Sequence, residues 1–168
     1  MKARALCGFV TLVVLMLIYA NACAVDDEHS RNSLRGLKGI VVVVEFPNRQ
    51  VALSGLTEGA IRASVEVKFQ QAEIPVVSIE QIPEKLPIPL LYINANVAKV
   101  GVGEYIYNVL VEFRQNVTLV RSPKVQCPAG TWSTACLGSA TDFRDIQKTI
   151  QEGVSKFITA YLSVNPKR

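Results

Sequence analysis

The clearest alternation of apolar and polar residues runs from Gly103 to Arg121. A period of two places alternate side chains on one face of a strand, whereas in a helix the same residues would scatter around the circumference. We therefore predict a long strand whose odd-numbered face is buried beneath helices. That face comprises Tyr105, Tyr107, Val109, Val111, Phe113, Gln115, Val117 and Leu119.

A strand of this length is expected to bend or to carry a bulge, because ordinary strands are much shorter. The apolar face is interrupted at Arg114–Asn116, so we place the bend there. The same parity resumes beyond it, which predicts that the odd face still points at the core.

Three further strands are predicted upstream, the shortest of them at Val76–Ile79 near an edge of the sheet, and a last short strand is predicted at Thr131–Thr134. The continuous apolar run Ile40–Phe46 is typical of a strand buried on both faces, and hence central in a sheet. Leu90–Val100 alternates, with Asn94 and Asn96 on its polar face. Gly101, Val102 and Gly103 permit a tight reversal, so this strand and the next form an antiparallel hairpin.

Helical spacing appears twice. Thr57 can cap a first helix with a buried stripe at Ile61, Val65, Phe69 and Ala72, ended by Pro75. Thr141 or Asp142 caps the last helix, whose stripe is Phe143, Ile146, Ile150, Val154, Phe157 and Tyr161. The order β-α-β-β-β-(β)-α predicts an α+β two-layer sandwich, an antiparallel or mixed sheet of four to five strands with two helices on one face.

The amino terminus has the pattern of an export signal over residues 1–22, with a basic start, an apolar stretch and small residues near the cut. Signal peptidase could cut after Ala22 or Ala24. The alternative is lipidation of Cys23, although Ala20 stands where a lipobox favours leucine. We interpret residues 23–38 as a polar tether and 39–168 as one domain.

Charge excludes one class of partner. Removing residues 1–22 reduces the basic residues from 18 to 16 while all 14 acidic residues remain, which leaves a net charge of +2. No basic cluster survives that could form a nucleic-acid interface. A membrane is expected only through a lipid anchor at Cys23.

Cys127 and Cys136 lie nine residues apart, with Pro128, Gly130 and Trp132 between them. In an exported chain this spacing favours a disulfide that closes a small loop, and free thiols are the alternative. A redox-active pair would normally be spaced C-x-x-C.

Two features are candidate binding surfaces. Pro83, Pro87 and Pro89 hold an extended segment, which would otherwise be a rigid connector. Trp132, the only tryptophan, could be an exposed recognition residue, and a core anchor is the competing interpretation.

No catalytic set is apparent in the sequence. The only histidine, His29, lies in the predicted tether and cannot serve as a base in the core. The same scarcity of ligands argues against a metal site, and no glycine-rich phosphate motif follows a strand. We predict a chain that is not an enzyme and has no cofactor.

Several segments resemble an uncharacterised family of exported bacterial proteins: Gly55-Leu56-Thr57, Leu91–Asn94, Thr131-Trp132-Ser133 and Phe157–Lys167. Glu73 replaces the glycine that this family has after the first helix. The predicted organisation is similar to the amino-terminal domain of TolB and to the LPS-assembly lipoprotein. The export signal, the tether, the predicted sandwich and the missing catalytic set together predict an envelope module that binds a protein partner, in the periplasm, at the outer membrane or secreted. The alternative is a small-ligand or lipid carrier with a cavity between helices and sheet.

Overall fold

The computed structural model describes residues 24–47, 56–78 and 89–166. The order of elements is β1 (Ala24–Val25), α1 (Glu28–Asn32), β2 (Val41–Glu45), α2 (Glu58–Gln71), β3 (Leu90–Gly101), β4 (Glu104–Leu119), β5 (Ser122–Ala140) and α3 (Phe143–Val164). The strands form one mixed sheet in the order β1-β5-β4-β3-β2. Helices α2 and α3 pack on one face of it, which confirms the predicted two-layer α+β sandwich.

The sheet is antiparallel except between β2 and β3, which run parallel because α2 connects them. Gly103, at φ 73°, turns β3 back into β4, so the predicted hairpin is confirmed. A bulge lies next to the predicted segment rather than within β4: the β4–β5 register shifts between Phe113 and Arg114, and the extra residue, Thr131, is on β5.

The core lies between α3 and the odd face of β4. Phe157 is its centre: its ring centroid lies 5.7 Å from that of Phe69 on α2, 5.6 Å from Phe113 on β4 and 5.3 Å from Trp132 on β5. All four side chains are almost fully buried. Gly153 lets α3 approach the sheet, because a Cβ there would stand 2.8 Å from a methyl group of Val111.

The helix caps follow from the sequence. The Thr57 hydroxyl accepts a hydrogen bond from the Ala60 amide at 3.2 Å, and the Asp142 carboxylate accepts one from the Arg144 amide at 2.8 Å. Of the two residues proposed to cap α3, Asp142 does so. Asn165 closes the same helix, since its side-chain amide donates to the Tyr161 and Leu34 carbonyls, each at 2.9 Å.

The prediction that Ile40–Phe46 is a central strand holds only at its first residue. Ile40 forms a parallel bridge with Val76, in which the Ile40 amide donates to the Pro75 carbonyl and the Val77 amide donates to the Ile40 carbonyl, each at 3.0 Å. Strand β2 itself is the last in the described sheet and pairs there with β3. Its apolar run is nevertheless buried, because Val42 and Val44 face the helices and Val41 is also covered on the other side.

The prediction of a polar tether was wrong for residues 24–38. Ala24 and Val25 pair with β5, and Asp27 and Ser30 form a reciprocal capping box that starts α1. Leu34 is fully buried. The charged residues of this segment suggest that it is solvated. In the structure, however, their side chains form local hydrogen bonds. The signal segment and Cys23 lie outside the described residues.

The carboxylate of Asp26 fastens this segment to the sheet. It accepts hydrogen bonds from Arg31 Nε at 2.7 Å and Nη2 at 3.0 Å, and from the buried Trp132 Nε1 at 2.9 Å. The Arg31 guanidinium, and secondarily the Trp132 indole, hold the pKa of Asp26 below its ordinary value against the opposing effect of burial.

We expect Asp26→Ala to lower the free energy of unfolding by about 1–3 kcal/mol, because the buried Trp132 N–H then has no acceptor. The matched control, Arg31→Ala, removes a half-exposed ion pair and should cost less than about 1 kcal/mol. Because the pKa of Asp26 is lower in the folded state than in the unfolded state, its carboxylate stabilises the fold at pH values above its unfolded-state pKa of about 4. The difference between wild type and Asp26→Ala should therefore shrink as the pH falls below about 4. Urea unfolding followed by circular dichroism measures both effects, and equal losses in the two variants would contradict this role.

The end of α2 has a left-handed residue that is not glycine. Glu73 has φ 60°, and the Ile74 amide closes the helix end on the Phe69 carbonyl at 2.8 Å. In this left-handed region a residue with a Cβ is sterically destabilised, whereas glycine is not.

We therefore expect Glu73→Gly to be about 1–2 kcal/mol more stable than Glu73→Ala. Both variants remove the carboxylate and its interactions, so their difference isolates the backbone. Thermal unfolding of the two proteins side by side tests this, and equal melting temperatures would exclude a strained helix end.

Candidate binding face of the sheet

One face of the sheet points away from α2 and α3, and we call it the open face. Cross-strand register defines its members. They include Val41, Val43 and Glu45 on β2, Leu90, Tyr92, Asn94, Asn96 and Ala98 on β3, Ile106, Asn108, Leu110, Glu112 and Arg114 on β4, and Ser133, Ala135, Leu137 and Ser139 on β5. The helices α2 and α3 lie on the opposite side, and on the open face Val41 is buried whereas Ile106 and Leu137 are exposed.

A row of hydrogen-bonded side chains, which we call the polar ladder, crosses the β2–β3 half of the open face. The Tyr92 hydroxyl donates to the Glu45 carboxylate. Asn94 Nδ2 donates to the Tyr92 hydroxyl at 3.0 Å, and Asn96 Nδ2 donates to Asn94 Oδ1 at 2.6 Å. The ladder fixes the orientation of the two amides before any ligand arrives, which reduces the ordering cost of binding.

Arg114 flanks the ladder on β4. Its guanidinium carbon lies 3.9 Å from the centre of the Tyr92 ring, and its Nε donates to the Glu112 carboxylate. The cation over the ring and the ion pair together hold Arg114 flat against the sheet. This half of the face is therefore polar but internally satisfied.

The hydrogen bond to Glu45 raises the pKa of Tyr92, and burial raises it further. The upward shift extends to more alkaline pH the range over which the Tyr92 hydroxyl stays protonated and donates to Glu45.

The β4–β5 half of the open face carries exposed apolar side chains. Leu137 is 81% exposed and Ile106 is 46% exposed. With Asn96, Ala98 and Asn108 they line a shallow cavity of about 350 Å³. Large exposed aliphatic side chains beside oriented amides are typical of surfaces that bind other proteins.

No group of three His, Cys, Asp or Glu side chains in residues 24–47, 56–78 and 89–166 could hold a metal ion. The described helices include none that is both long and apolar enough to cross a bilayer. What the open face offers is hydrogen bonding and apolar contact.

The predicted Cys127–Cys136 disulfide was wrong, as was the loop around it. Residues 122–140 form one continuous strand, and both cysteines are free thiols. Nine residues of strand separate the two Cα atoms by about 30 Å, whereas a disulfide needs roughly 4.4–6.8 Å. Cys127 lies opposite Val117 and Cys136 opposite Val109.

The structure also excludes Trp132 as a recognition residue, because its side chain is 1% exposed. The competing interpretation of a core anchor is confirmed. Pro83 and Pro87 lie outside the described residues. Pro89 is half-buried, and its carbonyl accepts a hydrogen bond from the Val41 amide at 3.1 Å, which starts the β2–β3 pairing.

Sequence reasoning identified Asn94 and Asn96 as exposed and missed Glu45, Arg114 and Leu137. Arg114 and Leu137 are recognisable only once the partner strand is known. A usable signal for this face was the alternation of β4, because the prediction that its odd-numbered face lies beneath helices puts its even-numbered face on the opposite side.

Comparisons with known proteins leave the family open. No family model matches the chain, and the search of curated proteins found no match. Among solved structures, the rare lipoprotein B from Shewanella oneidensis aligns at 11% identity and TM-score 0.30, covering 73% of this chain and 91% of that one. A minor lipoprotein from Acinetobacter baumannii aligns at 9% identity and TM-score 0.29, covering 76% and 93%. A homolog of neuraminyllactose-binding hemagglutinin from Helicobacter pylori aligns at 11% identity and TM-score 0.29, covering 80% and 88%. TM-scores this low do not establish a shared fold.

The polar ladder yields a prediction about alkaline titration. Replacing Glu45 by Gln removes the charged acceptor, so the pKa of Tyr92 should fall toward its ordinary value of about 10. Because the pKa of Tyr92 is higher in the folded state than in the unfolded state, its hydrogen bond stabilises the fold below about pH 10. This contribution is lost as the pH rises through the folded-state pKa. The stability difference between wild type and Glu45→Gln should therefore shrink at alkaline pH. Tyrosinate absorbance follows the titration, with Tyr92→Phe identifying the Tyr92 component. An unchanged titration curve in Glu45→Gln would show that the ladder does not hold Tyr92.

Proposed function

We propose that this chain is a non-enzymatic, exported module of the bacterial envelope that binds a protein partner through the open face of its sheet. The observation that carries the proposal is the make-up of that face: a pre-oriented polar ladder beside exposed Ile106 and Leu137. Protein interfaces combine apolar contact with a limited number of directed hydrogen bonds, and the open face has both.

Export is supported by the amino-terminal pattern of charge, apolar stretch and small residues. Processing at Ala22 or Ala24 would release a periplasmic or secreted protein, and lipidation of Cys23 would retain it on a membrane. Because β1 begins at Ala24, an acylated Cys23 would leave no spacer between the lipid and the sheet. The intact mass of the protein from its own host distinguishes the two.

The packing between the layers counts against a lipid or small-ligand carrier. Phe157 and its aromatic neighbours fill the space beneath α3, and Gly153 brings that helix onto Val111. A cavity between α3 and β5, lined by Val109, Thr149 and Gly153 among others, holds only about 50 Å³. Ligand sites usually measure about 300–1,000 Å³.

Partner binding can be tested by placing a photoreactive amino acid on the open face in living cells. We expect the label at Asn96 or Asn108 to yield one and the same adduct. Gln147, exposed on α3, serves as the control position and should yield none. Equal labelling from all three positions would contradict binding at this face, and so would an adduct consisting of two copies of the chain.

A matched pair of variants then tests the apolar half of the face. Ile106→Asp introduces a charge at a 46% exposed position and should weaken the Asn96 adduct about tenfold, equivalent to about 1.4 kcal/mol. Val67→Asp, at a 50% exposed position on α2, should leave the adduct unchanged. Similar losses in both variants would mean that the open face is not the site.

A further inference from the structure

The hydrogen bonds of the polar ladder all run in one direction, and Glu45 at one end sets that direction. A carboxylate accepts hydrogen bonds and has none to donate, so the Tyr92 hydroxyl gives its proton to Glu45. The hydroxyl has no second proton, and it can therefore only accept from Asn94. Asn94 consequently turns its Nδ2 toward Tyr92 and its Oδ1 toward Asn96.

The same constraint passes on to Asn96. Because Asn94 presents an oxygen, Asn96 donates to it through Nδ2, at 2.6 Å. The oxygen and nitrogen of an amide lie on opposite sides of one carbon, so Asn96 Oδ1 faces away from the ladder. Among the described residues, no group donates a hydrogen bond to this oxygen. Through three hydrogen bonds, the carboxylate of Glu45 determines that the ladder ends in an acceptor.

This acceptor lies where the polar ladder meets the exposed apolar side chains. Asn96 is directly opposite Asn108 on β4, and Asn108 is directly opposite Leu137 on β5. All three residues line the cavity of about 350 Å³, together with Ile106 and other uncharged residues. A group that fills this cavity needs an apolar body and, beside Asn96, a hydrogen-bond donor.

We propose that the polar ladder selects a protein partner whose contacting side chain brings an N–H donor on an aliphatic stem to Asn96 Oδ1. This inference rests on the proposed binding at the open face. Gln, Lys and Arg have such side chains, and their stems can pack against Ile106 and Leu137. A carboxylate at the same place would meet the amide oxygen with no proton between them.

Glu45 is then a positioning residue, because it acts on the partner only through the ladder. Hydrogen bonds that run in one direction along a chain polarise one another, and here they strengthen the terminal acceptor on Asn96. The identity of the residue at one end of the ladder therefore decides which chemical group is recognised at the other.

The first test reverses the ladder. Glu45→Lys replaces an acceptor by a donor, so the Tyr92 hydroxyl should donate to Asn94 instead, both amides should turn over, and Asn96 should present Nδ2. The matched control, Glu45→Gln, removes the charge but keeps an oxygen that accepts from Tyr92. The adduct from a photoreactive residue at Asn108 should fall at least about tenfold in Glu45→Lys and less than about threefold in Glu45→Gln. Glu45 is exposed, so both variants should fold like the wild type, which circular dichroism checks.

A second background separates the ladder from the charge of the new lysine. Tyr92→Phe removes the hydroxyl through which Glu45 acts on Asn94. In that background, Glu45→Lys should change the Asn108 adduct less than about twofold, because the coupling between the two sites is lost. An equal loss in both backgrounds would mean that the lysine acts by its charge alone, and would overturn the inference.

The exchange of side-chain amide protons with water reports on the ladder without any partner, and nitrogen–proton NMR measures it. In wild type, the Asn96 Nδ2 proton bonded to Asn94 should exchange more slowly than the Nδ2 protons of Asn108, which the described residues leave unbonded. In Glu45→Lys the two amides should exchange alike, and slow exchange retained at Asn96 would overturn the relay. If the wild type gives no Asn108 adduct, the proposed function itself fails. If the adduct stays at full strength in Glu45→Lys while the Asn96 amide has turned over, only this inference fails.

Discussion

The packing of Phe157 against the odd face of the sheet is the contact on which the rest of the structure depends. One ring on α3 touches a residue from α2, one from β4 and one from β5, so burying it joins both helices to the sheet. Gly153, one turn earlier, allows the approach. Large aromatic side chains bury more apolar surface than any other type, which is why a single such cluster can organise a domain of this size.

This one-sided packing explains why the other face is open. Both long helices are needed to cover the aromatic cluster, and the described part of the chain supplies no third one for the opposite side. The sequence accommodates the exposed face partly with a satisfied polar ladder and partly with exposed aliphatic residues. The polar ladder makes the face compatible with water, and the exposed aliphatic residues provide apolar contact area.

The segment 24–38 shows how charged residues can be structural. The polar groups of this segment form a helix cap, through Asp27 and Ser30, and a hydrogen bond from the Trp132 indole to Asp26. The side chain of Leu34 is buried in the core. A run of charged residues is usually solvated, so composition alone favoured a tether. The deciding partner, Trp132, lies more than a hundred residues away in the chain, at a distance no local pattern can reveal.

What the sequence determined by itself was everything governed by local periodicity and capping. The alternation through β4, the stripe of α3, the Asp142 cap and the Gly103 reversal each depend on neighbours within a few residues. Tertiary structure alone decided which strands are neighbours. It placed β2 at an end of the described sheet and put Cys127 and Cys136 far apart on one strand. It also paired Ala24 with Thr134. The physical reason is that a period of two determines which face of a strand is buried, but it does not determine which strand will be its neighbour. Backbone hydrogen bonds are the same for every partner, so pairing is decided by which side chains across the whole fold can be buried together.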